Sequence, residues 1–159
     1  LTGRNFDQRI PAHGELQNID QQAITKCEET LRDVGRQIER RRFRDALWAA
    51  MGLAQHGNRY IDTKSPWTQI KTDPEAAATT LWTALNLVAT LRTVFYPFIP
   101  FSSERIHELL GFDGNVLSDG WRSRVVEAGS LLPTPQPLFK KLDESVVEQE
   151  TERLVTAQS

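Results

Sequence analysis

Apolar residues recur at intervals of three and four over long stretches of the chain, and most positions between them are polar. This spacing places the apolar side chains along one side of an α-helix. The first such stretch, residues 20–39, carries Ile24, Cys27, Leu31, Val34 and Ile38. The second, residues 43–61, carries Phe43, Ala46, Leu47, Ala50, Leu53, Ala54, Gly57 and Ile61. The pattern therefore predicts two amphipathic helices in succession.

A third helix is predicted by the clear start signal that precedes the longest apolar stretch. Asp73 is a favourable N-cap, Pro74 suits the first helical position, and Glu75 lies at the positive end of the helix dipole. The stripe consists of Leu81, Leu85, Val88, Leu91 and Phe95, widened by Trp82, Ala84 and Ala89. Such a wide stripe indicates neighbours on several sides. We predict that Pro97 and Pro100 end this helix.

The remainder of the chain contains shorter elements. Ser102 can cap a short helix that runs to Leu110 and stops at Gly111. Glycine, proline and serine then predict an irregular segment, residues 112–139, that covers the bundle, and a polar terminal helix or tail follows at residues 143–159. Sustained alternation with a period of two is absent from the sequence. We therefore predict one all-α domain, residues 1–159, an antiparallel bundle of about four or five helices.

Composition and charge exclude several classes of protein. The chain has 159 residues, of which 39% are hydrophobic, and its 19 basic and 21 acidic residues give a net charge of -2. Any nucleic-acid surface must therefore be local. One cysteine allows no internal disulfide, and no apolar run could span a bilayer. We predict a cytoplasmic protein without a membrane partner. The opening LTGRNF reads as the last turn of a helix, so we expect a piece of a longer protein.

The candidates for catalytic or metal chemistry are few. Glu104 and His107 have the Glu-x-x-His spacing of a di-iron ligand pair, but such a site needs a second pair. Neither His13 nor His56 has a glutamate three residues before it. We therefore expect no metal site and a solvated His107. Cys27 lies on an apolar stripe, where a buried, inert thiol is expected. Since no phosphate-binding glycine loop or nucleophile elbow occurs, we predict no catalytic residue.

The candidates for RNA binding are an arginine run and a tryptophan. Six arginines lie within residues 32–44, which contain only two acids. Of these, Arg36, Arg40, Arg41 and Arg44 are our candidates for contacts with an RNA backbone; the alternative is a solvated helix face.

The tryptophan is Trp67, in the sequence Ser65-Pro66-Trp67. Because a proline follows Ser65, we predict that Ser65 is extended and caps a short helix. Trp67 is then either a lid on the core or a platform for an unpaired base, worth about 1–3 kcal/mol. Trp48 and Trp82 lie within long predicted helices, and core packing accounts for them.

A family resemblance bears on these alternatives. The segment from Phe43 through ALWAAMGLAQHGNRYIDTKSPWTQIK resembles the anticodon-binding helical domain of methionyl-tRNA synthetase, with its Asn-x-Tyr-Ile-Asp and Pro-Trp motifs. LTGRN is similar to the end of the family's first bundle helix. LRTVFYPFIPFSSERIHELLG is similar to its late helix and proline-broken turn, and PLFKKLD, residues 137–143, to its closing segment. The resemblance covers nearly the whole chain.

The resemblance implies a role for two residues. Trp67 would stack on the first base of the CAU anticodon, and Arg4, after Leu1, would read anticodon bases or phosphate. The family's partner asparagine would precede Leu1, so we leave the full specificity of the fragment open. The implied partners are the anticodon stem-loop of tRNA(Met) and a catalytic domain of the same polypeptide.

The same resemblance implies an enzyme whose catalytic part lies elsewhere. The family's His-Ile-Gly-His and Lys-Met-Ser-Lys-Ser motifs, which handle ATP and methionyl-adenylate, are absent from this sequence. We therefore expect a fragment of a methionine-tRNA ligase that is inactive alone and has no cofactor of its own, whereas the parent enzyme uses ATP. Two alternatives remain: a tRNA-binding bundle of a sister synthetase or a free-standing one, and a structural or protein-docking bundle.

Overall fold

The fold is helical, as predicted. The computed structural model describes residues 1–139 together with residues 145, 146, 151 and 153. Within this part the helices are α1 (Thr2–Asn5), α2 (Asn18–Glu39), α3 (Phe43–Lys64), α4 (Pro66–Thr72), α5 (Pro74–Phe95), α6 (Pro100–Leu109) and α7 (Val116–Asp119). Among these described residues none of the helices is long and apolar enough to cross a membrane. The predicted terminal helix or tail, residues 143–159, lies outside the described residues apart from the four single positions.

Helices α2, α3 and α5, each of 22 residues, pack against one another and form the centre of the bundle. The first half of α3 meets the second halves of the other two, so α3 is antiparallel to both. One shared apolar cluster contains Val34, Ala46, Ala50 and Val94, and a second contains Ala23, Cys27, Leu53, Tyr60 and Leu87. Burial raises the pKa of the Cys27 thiol to about 11, so little thiolate forms near neutral pH.

Helix α5 buries only part of the side that its leucines indicate: Leu81 and Ala89 are buried, whereas other positions of the stripe are not. Our prediction placed Leu85 and Val88 on its apolar stripe, but Val88 is exposed and Leu85 is only partly buried. The fully covered side carries many polar residues: Thr79, Thr80, Thr83, Asn86, Thr90, Arg92 and Thr93. Threonine can be buried here because its hydroxyl donates to the carbonyl four residues earlier, as Thr90 does to Asn86 at 3.1 Å. Internal hydrogen bonds thus allow most of these threonines into the core.

The helix ends follow the predicted signals in part. The Asp73 carboxylate accepts a hydrogen bond from the backbone N–H of Ala76 at 3.0 Å, which confirms the N-cap of α5. Helix α5 ends at Phe95, before both prolines. Pro100 does not end a helix, however; it begins α6, two residues before the predicted cap at Ser102. Proline suits the first helical position because the N–H that it lacks has no partner there.

The irregular segment after α6 covers the bundle, as predicted. Its Val126 and Leu132 are buried in an apolar cluster with Ile10, Ala89 and Leu110. Backbone hydrogen bonds tie the segment to the chain near Ile10, from Ile10 N–H to the Ser130 carbonyl at 2.9 Å and from Gly129 N–H to the Ile10 carbonyl at 2.8 Å. The two stretches that flank the long helices therefore hold each other against α5.

His107 is buried, contrary to our prediction of a solvated side chain. It is 1% exposed, and its Nδ1 lies 2.6 Å from Nη1 of Arg92. Because a guanidinium has only donors, Nδ1 accepts, and Nε2–H donates to the Asp113 carbonyl at 3.1 Å. The carboxylate of Glu104 accepts from the Val116 N–H at 3.2 Å. Both members of the Glu-x-x-His pair therefore join α6 to the chain that follows it.

Asp119 completes this buried polar cluster. Its carboxylate lies 2.6 Å from Nη1 of Arg92 and 3.5 Å from Nη1 of Arg124. Burial alone raises the pKa of Asp119, but the hydrogen bond and charge of Arg92, with a smaller effect of the charge of Arg124, outweigh it, so the pKa lies below its usual value. The charged carboxylate thereby anchors α7 to α5.

Candidate RNA-binding surface

The turn between α3 and α4 brings Trp67 to the surface. Ser65 alone separates the two helices, with φ 46° and ψ 60° in the left-handed region. Its hydroxyl donates to the Asp62 carbonyl at 2.7 Å. Our prediction of an extended, capping Ser65 was therefore wrong. Because one residue must both end α3 and redirect the chain into α4, it takes the left-handed conformation that commonly ends helices.

Trp67 is the second residue of α4 and is 47% exposed. Pro66, directly before it, is buried and fixes its own φ by its ring. Among the described residues the indole Nε1 of Trp67 has no hydrogen-bond partner. The indoles of Trp82 and Trp121 differ, since they donate to the carbonyls of Val126 at 3.2 Å and Leu31 at 3.0 Å. Trp67 thus presents nearly half of its surface to solvent, with an Nε1–H that no described residue accepts.

A buried polar cluster lies beneath the end of α3 that precedes Trp67. The Asp20 carboxylate on α2 accepts hydrogen bonds from the Tyr60 hydroxyl at 2.7 Å and the Gln17 N–H at 2.9 Å. Nζ of Lys64 lies 3.1 Å from Asp20 Oδ1 and 2.9 Å from Gln17 Oε1. Burial, followed by the hydrogen bond to Asp20, raises the pKa of Tyr60. The cluster joins the start of α2 to the last turn of α3.

Helix α4 is also held from its other end. The Thr80 hydroxyl on α5 lies 2.9 Å from Oε1 of Gln69, and Thr80 is buried. The N–H of Asp73 donates to the Gln69 carbonyl at 2.7 Å, and the same aspartate then caps α5. Polar contacts on both sides of Trp67 therefore define the position of α4.

Arg4 is exposed in the single turn α1. Its neighbours Thr2 and Gly3 line an apolar cleft of about 230 Å³, together with Leu85 and Val88 of α5 and part of α6. Trp67 instead lies in α4, which contacts α5 at Thr80. Arg4 and Trp67 are thus anchored to different parts of α5, and the described contacts do not join them.

The arginine run lies at the other end of α3 from Trp67. Arg40 and Arg41 form the turn after α2, Arg44 is in the first turn of α3, and all three are exposed. Arg36 lies 3.5 Å from Asp33 in a partly exposed pair on α2. Since an α-helix rises about 1.5 Å per residue, the length of α3 separates these arginines from Trp67 by about 30 Å.

The structure also corrects the prediction for Trp48. We attributed Trp48 to core packing, but it is 71% exposed. Phe43, Leu47 and Met51, on the same half of α3, are exposed as well. The helix buries Ala46, Ala50 and Leu53 instead. The sequence pattern shows that α3 is amphipathic, but it does not show how far around the helix the neighbours extend.

Sequence reasoning missed Asp20 and Lys64 as parts of the candidate site. Asp20 marked only the start of a helix, and Lys64 lay beyond its predicted end at residue 61. One available signal was spacing: Lys64 follows Tyr60 by four residues and Leu53 by eleven, so all three share one side of α3. A lysine on an otherwise buried side indicates a paired charge, because an unpaired buried charge is costly.

Known proteins resemble this chain over most of its length. The family described as the anticodon binding domain of methionyl tRNA ligase matches residues 10–159. The methionine–tRNA ligase of Roseiflexus sp. strain RS-1 is 39% identical over 180 aligned positions, which cover 97% of this chain and 30% of the relative. That of Dehalococcoides mccartyi strain 195 is 44% identical, over 82% of this chain and 24% of the relative.

Solved structures agree in fold. A crystal structure of Mycobacterium tuberculosis methionyl-tRNA synthetase bound by methionyl-adenylate superposes with a TM-score of 0.82 at 25% identity, over 87% of this chain and 28% of that chain. The helical fold and the family match together define an anticodon-binding type of domain. The chain belongs to the family of anticodon-binding domains of methionyl-tRNA ligases. It spans at most about 30% of the length of these curated relatives.

Proposed function

We propose that this domain binds the anticodon loop of tRNA(Met) and that the first base of the CAU anticodon stacks on the ring of Trp67. The observation that carries the proposal is the exposed indole at the start of α4, whose backbone is held on both sides by buried polar contacts. RNA-binding proteins recognise unpaired loop bases by stacking them on aromatic rings. A ring on a rigid turn suits this role because little conformational entropy is lost on binding.

The proposed arginine contacts divide into two groups. Arg4 contributes polar contacts to the loop bases or their phosphates, since a guanidinium offers five donors and no acceptor. Arg36, Arg40, Arg41 and Arg44 contact the RNA backbone. Because about 30 Å separates the turn after α2 from Trp67, these backbone contacts fall on a part of the tRNA outside the stacked anticodon base.

The wider activity is that of the parent enzyme. We propose that a catalytic part of the same polypeptide uses ATP to charge tRNA(Met) with methionine in the cytoplasm. The domain described here would select the tRNA and would not itself activate methionine. Supporting this division of labour, the segment that matches this chain makes up 30% of one of these relatives and 24% of the other.

The test compares two exposed tryptophans in the full-length parent enzyme. Trp67→Ala should weaken binding of tRNA(Met) by about 5- to 150-fold at fixed salt, the equivalent of about 1–3 kcal/mol. Trp48→Ala removes an equally large, more exposed ring near the other end of α3 and should leave the dependence of affinity on the first anticodon base unchanged. Replacing the first anticodon base should weaken binding far more in the wild type than in Trp67→Ala. Equal sensitivity of both proteins to that base would contradict the stacking proposal.

A further inference from the structure

We propose that Asp20 and Lys64 are positioning residues for Trp67: their buried ion pair fixes the last turn of α3 and so sets the direction in which the ring faces the RNA. This inference rests on the proposed stacking role of Trp67. It gives the polar cluster a part in anticodon recognition although none of its residues touches the base. The cluster consists of Gln17, Asp20, Tyr60 and Lys64.

The cluster is a fully connected network. Asp20 is wholly buried, and the side chain of Lys64 is nearly so. The carboxylate has three donors, from Tyr60, Gln17 and Lys64, and the ammonium contacts both Asp20 and Gln17 Oε1. Such a network restricts geometry more tightly than apolar contacts do, because hydrogen bonds weaken steeply away from their preferred angles.

The stability of the fold by itself gives a weak reason for an ion pair here. Desolvation of two charges largely offsets their attraction, and well-packed apolar residues of similar volume often serve equally well. Away from this end, the buried residues that α2 and α3 share are mostly apolar, such as Val34, Ala46 and Ala50. The other buried ion pair, between Arg92 and Asp119, joins α5 to α7. Directional contacts occur at the end of α3 where the chain must turn sharply, which points to control of direction.

The path from the cluster to the ring is short. Lys64 is the last residue of α3, Ser65 redirects the chain, and buried Pro66 begins α4 directly before Trp67. No flexible linker lies between the ion pair and the ring. Because Gln69 and Thr80 hold the far side of α4 at 2.9 Å, a change at Lys64 shifts the near side and tilts the short helix.

The experiment uses the full-length enzyme and measures the ratio of its affinities for tRNA(Met) and for the same tRNA with the first anticodon base replaced. Lys64→Met keeps the length of the side chain and removes its charge. We expect the ratio to fall by about tenfold, within the 5- to 150-fold that stacking provides. Lys26→Met makes the same substitution at a half-exposed lysine in the middle of α2 and should leave the ratio unchanged.

Two further variants separate positioning from a loss of folding. Lys64→Arg keeps a positive charge and N–H donors, and should restore much of the ratio. Tyr60→Phe removes one hydrogen bond to Asp20 with little loss of packing, so it reports on positioning even where Lys64→Met unfolds. All affinities are measured at a temperature below the onset of thermal unfolding of the least stable variant.

The double variant Trp67→Ala with Lys64→Met identifies the route of the effect. If Lys64 acts through the ring, the double variant discriminates no worse than Trp67→Ala alone. An unchanged ratio in Lys64→Met and Tyr60→Phe, together with lowered thermal stability, would overturn the positioning role and leave the stacking role intact. If Trp67→Ala itself does not alter the ratio, the proposed function fails instead.

Discussion

An exposed tryptophan lies near each end of α3, Trp48 within the helix and Trp67 just beyond its last residue, in α4, but the interior beneath them differs. Under the first half of the helix, near Trp48, the buried residues are small and apolar, with Ala46 and Ala50 facing Val34 and Val94. Under the last turn, next to Trp67, the buried contacts are ionic and polar, between Asp20 and its partners.

This difference separates two tasks of a protein interior. Apolar packing holds helices together through buried area, which is non-directional. Hydrogen bonds and ion pairs depend on angle as well as distance. The end of α3 that has only to pack carries an aliphatic interior, whereas the end that has to orient a turn and an aromatic ring carries a polar one.

The largest expected effect comes from breaking the buried pair. Asp20→Ala leaves Lys64 without its carboxylate in a buried site, and we expect a loss of about 3–5 kcal/mol in the free energy of unfolding. Asp33→Ala removes the carboxylate of the partly exposed pair with Arg36 and should cost less than about 1 kcal/mol. Urea unfolding of this domain measures both. Similar losses for the two variants would show that the α3 end is no more dependent on its ion pair than the surface is.

A second comparison uses two leucines of α3. Leu53 is fully buried and Leu47 is exposed, so Leu53→Ala should cost about 2–5 kcal/mol and Leu47→Ala less than about 1 kcal/mol. The denaturant midpoints of the two variants give the order. A reversed order would mean that α3 faces the core with its other side.

Alkaline pH should weaken the polar end of α3 selectively. Burial and the bond to Asp20 raise the pKa of Tyr60 in the folded state. The folded protein therefore holds this proton more tightly than the unfolded chain, and the resulting stabilisation is fully present below the ordinary tyrosine pKa of about 10. It decreases as the pH rises above that value towards the folded-state pKa. Between about pH 9 and about pH 11, values that bracket the ordinary tyrosine pKa, the free energy of unfolding should therefore fall less in Tyr60→Phe than in the wild type. Parallel plots of stability against pH for the two proteins would argue against the raised pKa.

The smallest expected effect concerns the arginine end. Arg40→Ala together with Arg44→Ala should weaken binding of whole tRNA(Met) modestly and to the same degree for every anticodon, with a shallower dependence on salt. An isolated anticodon stem-loop gives the sharper measurement. If the arginines contact the backbone far from the loop, a stem-loop too short to span about 30 Å should bind both proteins equally. If the double arginine variant instead lost discrimination between anticodons, this end of α3 would have to contact the anticodon loop itself.

Much of the fold was predictable because local chemistry determines it. The three-and-four spacing indicated α2 and α3, and the Asp73-Pro74 pair marked the start of α5 at the correct residue. The motif at Pro66 and Trp67 indicated the family, which the comparisons confirmed. Of the candidate site, Trp67, Arg4 and the arginine run came from the sequence, and their roles remain proposals.

The errors share a physical origin. Trp48 and Val88 looked buried because large apolar side chains usually are, and His107 looked solvated because polar ones usually are. Each expectation considers the type of the residue alone and leaves out the neighbours that the fold places around it. Trp48 lies on a side of α3 that no described element covers, whereas Arg92 and the Asp113 carbonyl supply His107 with both of its hydrogen bonds.

The sequence by itself determined which of the long segments are helical, where several of them begin, and to which family the domain belongs. These properties depend on periodicity, capping and motif, all of which involve residues close together in the chain. Only the tertiary structure decided which tryptophan is free, which polar residues are buried and what fixes the turn before Trp67. The partners in those contacts lie far apart in the chain: Asp20 and Lys64 are 44 residues apart, near the start of α2 and at the end of α3. Their pairing follows from the packing of α2 against α3.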